Sequence, residues 1–387
     1  MATEKTAKKK RKLNTRRLLR LLAAAFGLML LIAALLLLIS WLIKRKSFTR
    51  AELETSFEAG SSQGVSFTVF GDKLLRYSAD GLSLMDGSGK ELWNASVVMT
   101  KPRLLLQGSY GVLADIGGKT AYIFGEDGVS GEVRLNDPIL TLALSSHGVL
   151  ALAQDRKADS FISFFDKKGK ALDISLNLNM SLSGYPMDMA LSPEGTGLVI
   201  STVTTSSGQL DSQLVFYNFS VGKGESNRLV GYYSYDNSLF PEVKYLTDRS
   251  VVAVGDERML FLDLTREDKP VVAKEVVYDG QLTTVKIKDG KVLTLVSRQA
   301  GGGMTLTLYG SDGAALFSHA VEDRLISLDC KAGMVAAVTE KGVTLWDSKG
   351  RERFNGELEG GDSQVLILGE KTLLQPDGTL IKRYQLK

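Results

Sequence analysis

His147 and His319 are the only histidines of the chain, 172 residues apart, and Cys330 is its only cysteine. Zinc sites draw on Cys and His ligands clustered at short spacings, so these residues do not make a zinc site of familiar pattern. Gly60-Ser61-Ser62-Gln63-Gly64 has the G-x-S-x-G form of a nucleophile elbow, which needs a strand before it and a helix after it. Here an acidic segment precedes and the strand-like stretch Val65 to Phe70 follows, so a Gly/Ser linker is expected. Gly301-Gly302-Gly303 lacks the Lys-Ser/Thr and the helix of a phosphate-binding loop. Paired carboxylates occur at Asp256-Glu257, Glu267-Asp268 and Glu322-Asp323, all in expected turns. Glycoside hydrolysis needs two carboxyls facing one cleft about 5–10 Å apart, and neighbours on a strand point to opposite faces. The Asp-rich turns also lack the closing Glu of a calcium loop. No catalytic residue, cofactor or metal is therefore assigned.

A surface for binding is the stronger expectation. The segment Gly231 to Pro241 reads as a long connection between repeats and holds Tyr232, Tyr233, Tyr235 and Phe240. Exposed together, four such rings would suit an interaction hot spot; turned inward, they would pack between repeats. Asp155 to Asp159, Thr204 to Gln213, Arg298 to Met304 and Asn179 to Pro186 read as further enlarged loops on the same face.

The elements that must position these loops are short strands. Beyond residue 50 there is no long 3.6-residue period; aliphatic and β-branched runs alternate with Gly, Asp and Ser clusters. One apolar run recurs eight times: Leu74-Leu75, Val112 to Ala114, Val149 to Ala151, Leu198 to Ile200, Val251 to Ala253, Val292 to Thr294, Val335 to Ala337 and Leu373-Leu374. In five units a glycine (Gly111, Gly148, Gly197, Gly290, Gly333) precedes it by one or two positions, as a tight hairpin wants. A second turn follows further on: Asp86 to Lys90, Asp166 to Lys170, Asp347 to Arg351 and the shorter Ser311-Asp312-Gly313. An Asp that bonds its own turn and a Gly in the left-handed region make a hairpin. Each unit thus reads as four antiparallel strands, a to d, and units of about 40 residues built this way are propeller blades.

Eight blades are expected, with seven as the alternative because the intervals around the fourth and fifth units are long. The last unit contains a (Gln364 to Leu368), b (Thr372 to Leu374) and c (Thr379 to Tyr384) but no d. Leu53 to Phe57, at the other end of the array, is offered as the missing strand, which would close the ring and remove exposed edges.

Charge divides the chain. The net charge of +3 hides a basic tail, residues 2–20, with nine Lys/Arg and one Glu, and a body, residues 51–387, at −9. Between them Leu21 to Ile43 is an uncharged run followed by Lys44, Arg45 and Lys46. As a helix it would reach about 34 Å, enough for a hydrocarbon core of about 30 Å. A retained anchor is expected rather than a cleaved signal, whose apolar region is shorter. The larger basic excess before the span predicts a cytoplasmic N-terminus and an extracytoplasmic body. An acidic body also argues against nucleic-acid binding.

Leu84 to Trp93, with Asp86-Gly87-Ser88-Gly89-Lys90 leading to Trp93, resembles the quinoprotein propeller repeat, and Leu191-Ser192-Pro193-Glu194-Gly195 resembles the Ser-Pro-Asp-Gly hairpin of WD-like propellers. Over its length the chain resembles the uncharacterised single-pass membrane proteins of Gram-positive bacteria with such an ectodomain. Trp recurs at that place in only one blade, and the resemblance carries over no functional residue.

The expected organisation is a cytoplasmic tail (1–20), a transmembrane helix (21–43), a juxtamembrane linker that supplies the closing strand (44–61) and an all-β propeller (62–387). The expected function is that of a non-catalytic interaction or scaffold module of the bacterial envelope. Its partners would be the membrane it spans and an envelope protein or cell-wall polymer. An extracytoplasmic enzyme, quinone-linked or glycan-active, and a ligand-sensing receptor with a membrane partner stand as alternatives.

Overall fold

A computed structural model of the chain describes residues 26–36, 47–60, 64–157, 159–206, 209–220, 228–266, 269–298, 302–359 and 363–387. The chain divides into two units, Met1–Ser47 and Phe48–Lys387. In the first, residues 26–36 form a helix with Phe26, Leu28, Met29 and Leu31 exposed. Among the described residues no helix is long and apolar enough to cross a membrane. The rest of the expected span, like the expected cytoplasmic tail, lies outside the described residues.

The second unit is a β-propeller of eight four-stranded antiparallel sheets. Every recurring apolar run lies on strand b of its blade, except that Val149 stands just before Leu150–Arg156, and the blades assigned to the long intervals are ordinary ones: Tyr185–Leu191, Gly197–Ser206, Gln209–Asn218 and Leu229–Tyr235 form the fourth, and Glu242–Thr247, Ser250–Val254, Arg258–Asp263 and Val271–Val277 the fifth. Strand b reads as a continuous apolar run because both its faces are covered by neighbouring blades. Val112, Leu113 and Ala114, or Val251, Val252 and Ala253, are all fully buried. One face of each blade packs on the next, as where Leu75, Leu82 and Leu84 of blade 1 meet Leu113 and Phe124 of blade 2.

The eighth sheet joins the two ends of the ring. Leu366–Gly369, Thr372–Asp377 and Leu380–Leu386 supply strands a to c, and Ala51–Glu58 supplies d, with Leu53 opposite Tyr384 and Phe57 opposite Ile381. The compact unit consequently begins at Phe48 and takes in residues 48–60 of the segment assigned to a linker. Phe48 N donates to Arg353 O, Thr49 N to Lys387 O, and Lys387 N to Arg50 O, so the chain enters on the face that carries the a–b and c–d hairpins.

The Asp hairpins fold as their residues dictate. Asp86 Oδ1 accepts from the amides of Ser88 and Lys90, Asp166 Oδ1 from Lys168 and Lys170, and Asp347 Oδ1 from Lys349 and Arg351. Gly89, Gly169 and Gly350 then turn the chain with φ of 88°, 78° and 73°. Before strand b the expectation holds only in part. Gly148, Gly290 and Gly333 have positive φ, but in blades 2 and 4 the left-handed residue is Gly108 or Gly195, and Gly111 and Gly197 are extended.

Two expected loops are strands. Gly231 to Tyr235, read as the start of a connection, belong to Leu229–Tyr235, strand d of blade 4, because Val230, Tyr233 and Tyr235 pack against blade 5. Thr204 to Gln213 belongs to the long hairpin of Gly197–Ser206 with Gln209–Asn218, whose polar Thr and Ser pair in continuous register from Gly197 opposite Asn218 to Ser206 opposite Gln209.

Candidate functional site: the axial channel

The eight a strands stand around the axis, running from the face of the b–c loops and d–a connections (the loop face) to the face of the hairpins. Four carry a bulge at the same level near the loop face, between Ile139 and Thr141, Pro186 and Asp188, Leu282 and Thr284, and Leu325 and Ser327. A bulge adds one residue and re-aims its neighbours. At this level Thr141, Asp188, Thr284 and Ser327 occupy equivalent positions in blades 3, 4, 6 and 7.

In blades 3 to 5 this level is filled by protein charge. Arg103, from strand a of blade 2 (Pro102–Gln107), reaches past blade 3: Nη1 donates to Thr141 Oγ1 (3.1 Å) and Nη2 to Asp188 Oδ1 (2.8 Å). Asp188 Oδ2 accepts from Val243 N of blade 5 (3.0 Å). Beside them are Glu242 and Lys244 on strand a of blade 5. Burial, reinforced by Asp188, pushes the Glu242 carboxyl up, and burial pushes the Lys244 ammonium down against the pull of Asp188 and Glu242.

Blades 6 to 8 are different. A cavity of about 590 Å³ opens between the a strands of blades 6 and 7 at the loop face, with Lys286, Arg324, Gln364, Leu295, Met304 and Ile326 in its wall. A second, of about 430 Å³, opens toward the hairpin face, where Lys286 is joined by Lys288, Asp329 and Lys331. Lys286 is shared by both cavities. Near the hairpin face the charges are engaged. Lys288 Nζ lies 3.9 Å from Asp329 Oδ1, Asp329 Oδ2 accepts from Ile367 N (2.8 Å), and Lys331 donates to Gly71 O of blade 1 and Leu368 O of blade 8. Lys331 thereby bridges the seam of the ring, and burial pushes its ammonium down.

The residues singled out in the sequence occupy other places. Phe240 is fully buried and its ring meets Tyr235 edge-on at 5.1 Å. Tyr233 packs on Phe216 and donates its hydroxyl to Pro270 O (2.6 Å). Tyr232 alone of the four is open, at 67% exposure, so the rings do not form one surface. His319 lies between Phe317 and Trp346, with Nε2 2.8 Å from Gly350 O, and joins blade 6 to blade 7. His147 Nδ1 is 3.3 Å from Pro193 O. Cys330 is buried and its thiol is pushed up to about 12 by burial. Glu322 and Asp323 lie near Arg298 (3.8 Å) and Lys341 (2.6 Å). Among the described residues no three His, Cys, Asp or Glu side chains are placed to hold a metal. The channel residues escaped sequence reading because they are spread over several blades and converge only on ring closure.

A model of a family of unknown function, DUF5711, matches residues 44–378. The chain belongs to this family. No curated protein matches the DUF5711 chain in sequence. Among solved structures it is similar to Sqt1 of Saccharomyces cerevisiae, at 11% identity over 88% of this chain and 99% of that one, with a TM-score of 0.53. It is likewise similar to Chaetomium thermophilum Sqt1 bound to the N-terminus of the ribosomal protein L10, at 12% identity over 87% and 100% of the two chains, with a TM-score of 0.52. BamB from Moraxella catarrhalis aligns at 12% identity over 87% and 100%, with a TM-score of 0.49. Identities this low establish the propeller fold alone.

Proposed function

We propose that this DUF5711 propeller is a non-catalytic interaction module, anchored by the apolar segment 21–43 and displayed on the outer side of a bacterial cytoplasmic membrane. The observation that carries the reading is the division of labour between its faces. The chain enters the ring on the hairpin face, while the broad mouth of the channel, with its exposed cation Arg324, opens on the loop face. A tether on one face leaves the other free for a partner. The solved propeller of Sqt1 with the L10 N-terminus illustrates that a ring of this kind can bind a protein segment.

Two measurements in intact cells test it. Protease added outside should cleave the ring while sparing the basic tail, and a photo-crosslinking residue at Thr283, on the loop face, should capture an envelope protein that one at Lys349, on the hairpin face, does not. A ring protected from external protease, or equal capture from both faces, would overturn the reading.

A further inference from the structure

The geometry points to the loop-face cavity between blades 6 and 7 as a binding site for a carboxylate carried beside an aliphatic side chain, as at the end of a peptide chain. The inference rests on the interaction-module reading and names what the module would hold.

One arrangement occurs twice in the ring. In blades 4 and 5, Val243 N donates to Asp188 on the neighbouring a strand (3.0 Å), and Glu242 precedes Val243. In blades 7 and 8, Val365 N donates in the same way to Ser327 Oγ (3.2 Å), and Gln364 precedes Val365. Ser327 and Gln364 thus hold the positions of Asp188 and Glu242 with both carboxylates replaced by neutral groups. Lys244 is likewise matched by the apolar Leu366, and the cations on this side of the ring are different ones. The walls of the cavity carry Lys286 and Arg324 and no carboxylate, on a body with more acidic than basic residues. Among the described residues neither Lys286 nor Arg324 has a hydrogen-bonded or ion-paired side-chain partner, whereas Arg298 and Lys341 nearby face Glu322 and Asp323. Of the acids on the axis, Asp329 is engaged by Ile367 N and Lys288, and burial pushes the Glu242 carboxyl up. Where Arg103 finds Asp188, then, Lys286 and Arg324 have an opening.

The rest of the wall selects what bears the carboxylate. Leu295, Met304 and the bulged Ile326, which is 37% exposed, give an apolar floor, and Thr284, Ser327 and Gln364 give hydroxyl and amide partners suited to a peptide group rather than a bare alkyl chain. About 590 Å³ lies within the range of small-molecule pockets and admits a few residues. Two cations that converge on one carboxylate offer it charge-assisted hydrogen bonds.

The test uses the full chain in nanodiscs of zwitterionic lipid, labelled at the methionine methyl groups, with the Met304 resonance assigned by Met304→Leu. N-acetyl-leucine, which has a free carboxylate, should shift that resonance saturably, and its neutral twin N-acetyl-leucinamide should bind at least tenfold more weakly. Arg324→Gln and Lys286→Gln should each weaken the acid about tenfold. Ser327→Asp, which returns the carboxylate that Asp188 supplies in blade 4, should abolish binding while leaving the circular dichroism and melting of the ring unchanged. Equal binding of acid and amide, no shift at 20 mM, or a shift with octanoate but not with N-acetyl-leucine would overturn the proposal. A partner crosslinked from the loop face in cells, together with a silent Met304, would leave the module reading standing and remove this site alone.

Discussion

Gly89 lies against the ring of Phe57, so closely that a Cβ built on Gly89 would overlap the ring carbons. Gly89 turns the first c–d hairpin and Phe57 is on the strand that closes the eighth blade, so the contact is part of the joint between the two ends of the ring. The same device recurs where Gly350 meets Phe317 and Gly313 meets Phe261. Hairpin glycines therefore serve two ends at once: they take the positive φ, and they let the preceding blade approach.

These two roles can be separated by substitution. Gly378 also has a positive φ, of 62°, but nothing lies near its missing Cβ. Gly378→Ala should cost about 1 kcal/mol, the backbone term alone. Gly89→Ala should cost about 2–4 kcal/mol, because overpacking adds to it. Urea denaturation of the two variants, followed by intrinsic tryptophan fluorescence, checks the difference; equal losses would show that Phe57 yields without cost.

Removal of the closing strand should open the ring. A chain that begins at residue 62 leaves the backbone edge of Leu380–Leu386 unpaired and uncovers Ile381, which is 1% exposed in the intact ring. Unpaired edges template association. Size-exclusion chromatography should show assemblies larger than the intact ring forms, and a synthetic peptide of residues 48–60 added in trans should reverse them. A monodisperse, equally stable truncated ring would contradict this.

Asp347 should make the ring acid-sensitive. Burial raises its carboxyl, but hydrogen bonds from the Arg351 side chain (2.6 and 2.8 Å) and from the Arg351 and Lys349 amides outweigh that and hold it below the ordinary range. Because the folded value is the lower one, the stabilisation is present above the unfolded value near pH 4 and is lost as pH falls through the folded value. Asp347→Asn keeps the turn but loses the charge, and should cost about 1–2 kcal/mol at pH 7. Its stability should fall less steeply than that of the parent between pH 5 and pH 2. Parallel slopes would assign the acid sensitivity elsewhere.

Neighbouring tyrosines on one strand should behave oppositely. Tyr233→Ala removes a ring packed on Phe216 and a hydroxyl bonded to Pro270 O, and should cost about 3 kcal/mol. Tyr232→Ala, at an open position, should change stability by no more than about 0.5 kcal/mol. Thermal melts of both variants decide the matter.

The contrast on this strand also shows what a sequence can carry. Strand b is legible in every blade because burial on both faces writes an unbroken apolar run, and the Asp hairpins are legible because the turn is made by its own side chain. Gly231 to Tyr235 reads as a connection because the glycine and the mixed Tyr and Ser residues blur the alternation that blade 5 imposes. The channel could not be read at all. Arg103, Thr141 and Asp188 are far apart in the chain and on different blades, and their meeting depends on the bulges and on the angle between blades, neither of which any local pattern records. Lys286 and Arg324 look like ordinary surface cations until Ser327 and Gln364 are recognised as the counterparts of Asp188 and Glu242.

The eighth blade also fixes an order of events during synthesis. Ala51–Glu58 is the first strand of the ring to leave the ribosome, and the strand it pairs with, Leu380–Leu386, is the last. At about 5–20 residues per second the early strand waits on the order of 15–65 s with its hydrogen-bonding groups unmatched. Of its eight residues three are acidic, Glu52, Glu54 and Glu58, and mutual repulsion between copies of such a strand keeps nascent chains from pairing with one another in that interval. The ring is thus a structure whose final fastening must be kept idle until the last moment, and the charge on that strand is suited to keeping it so.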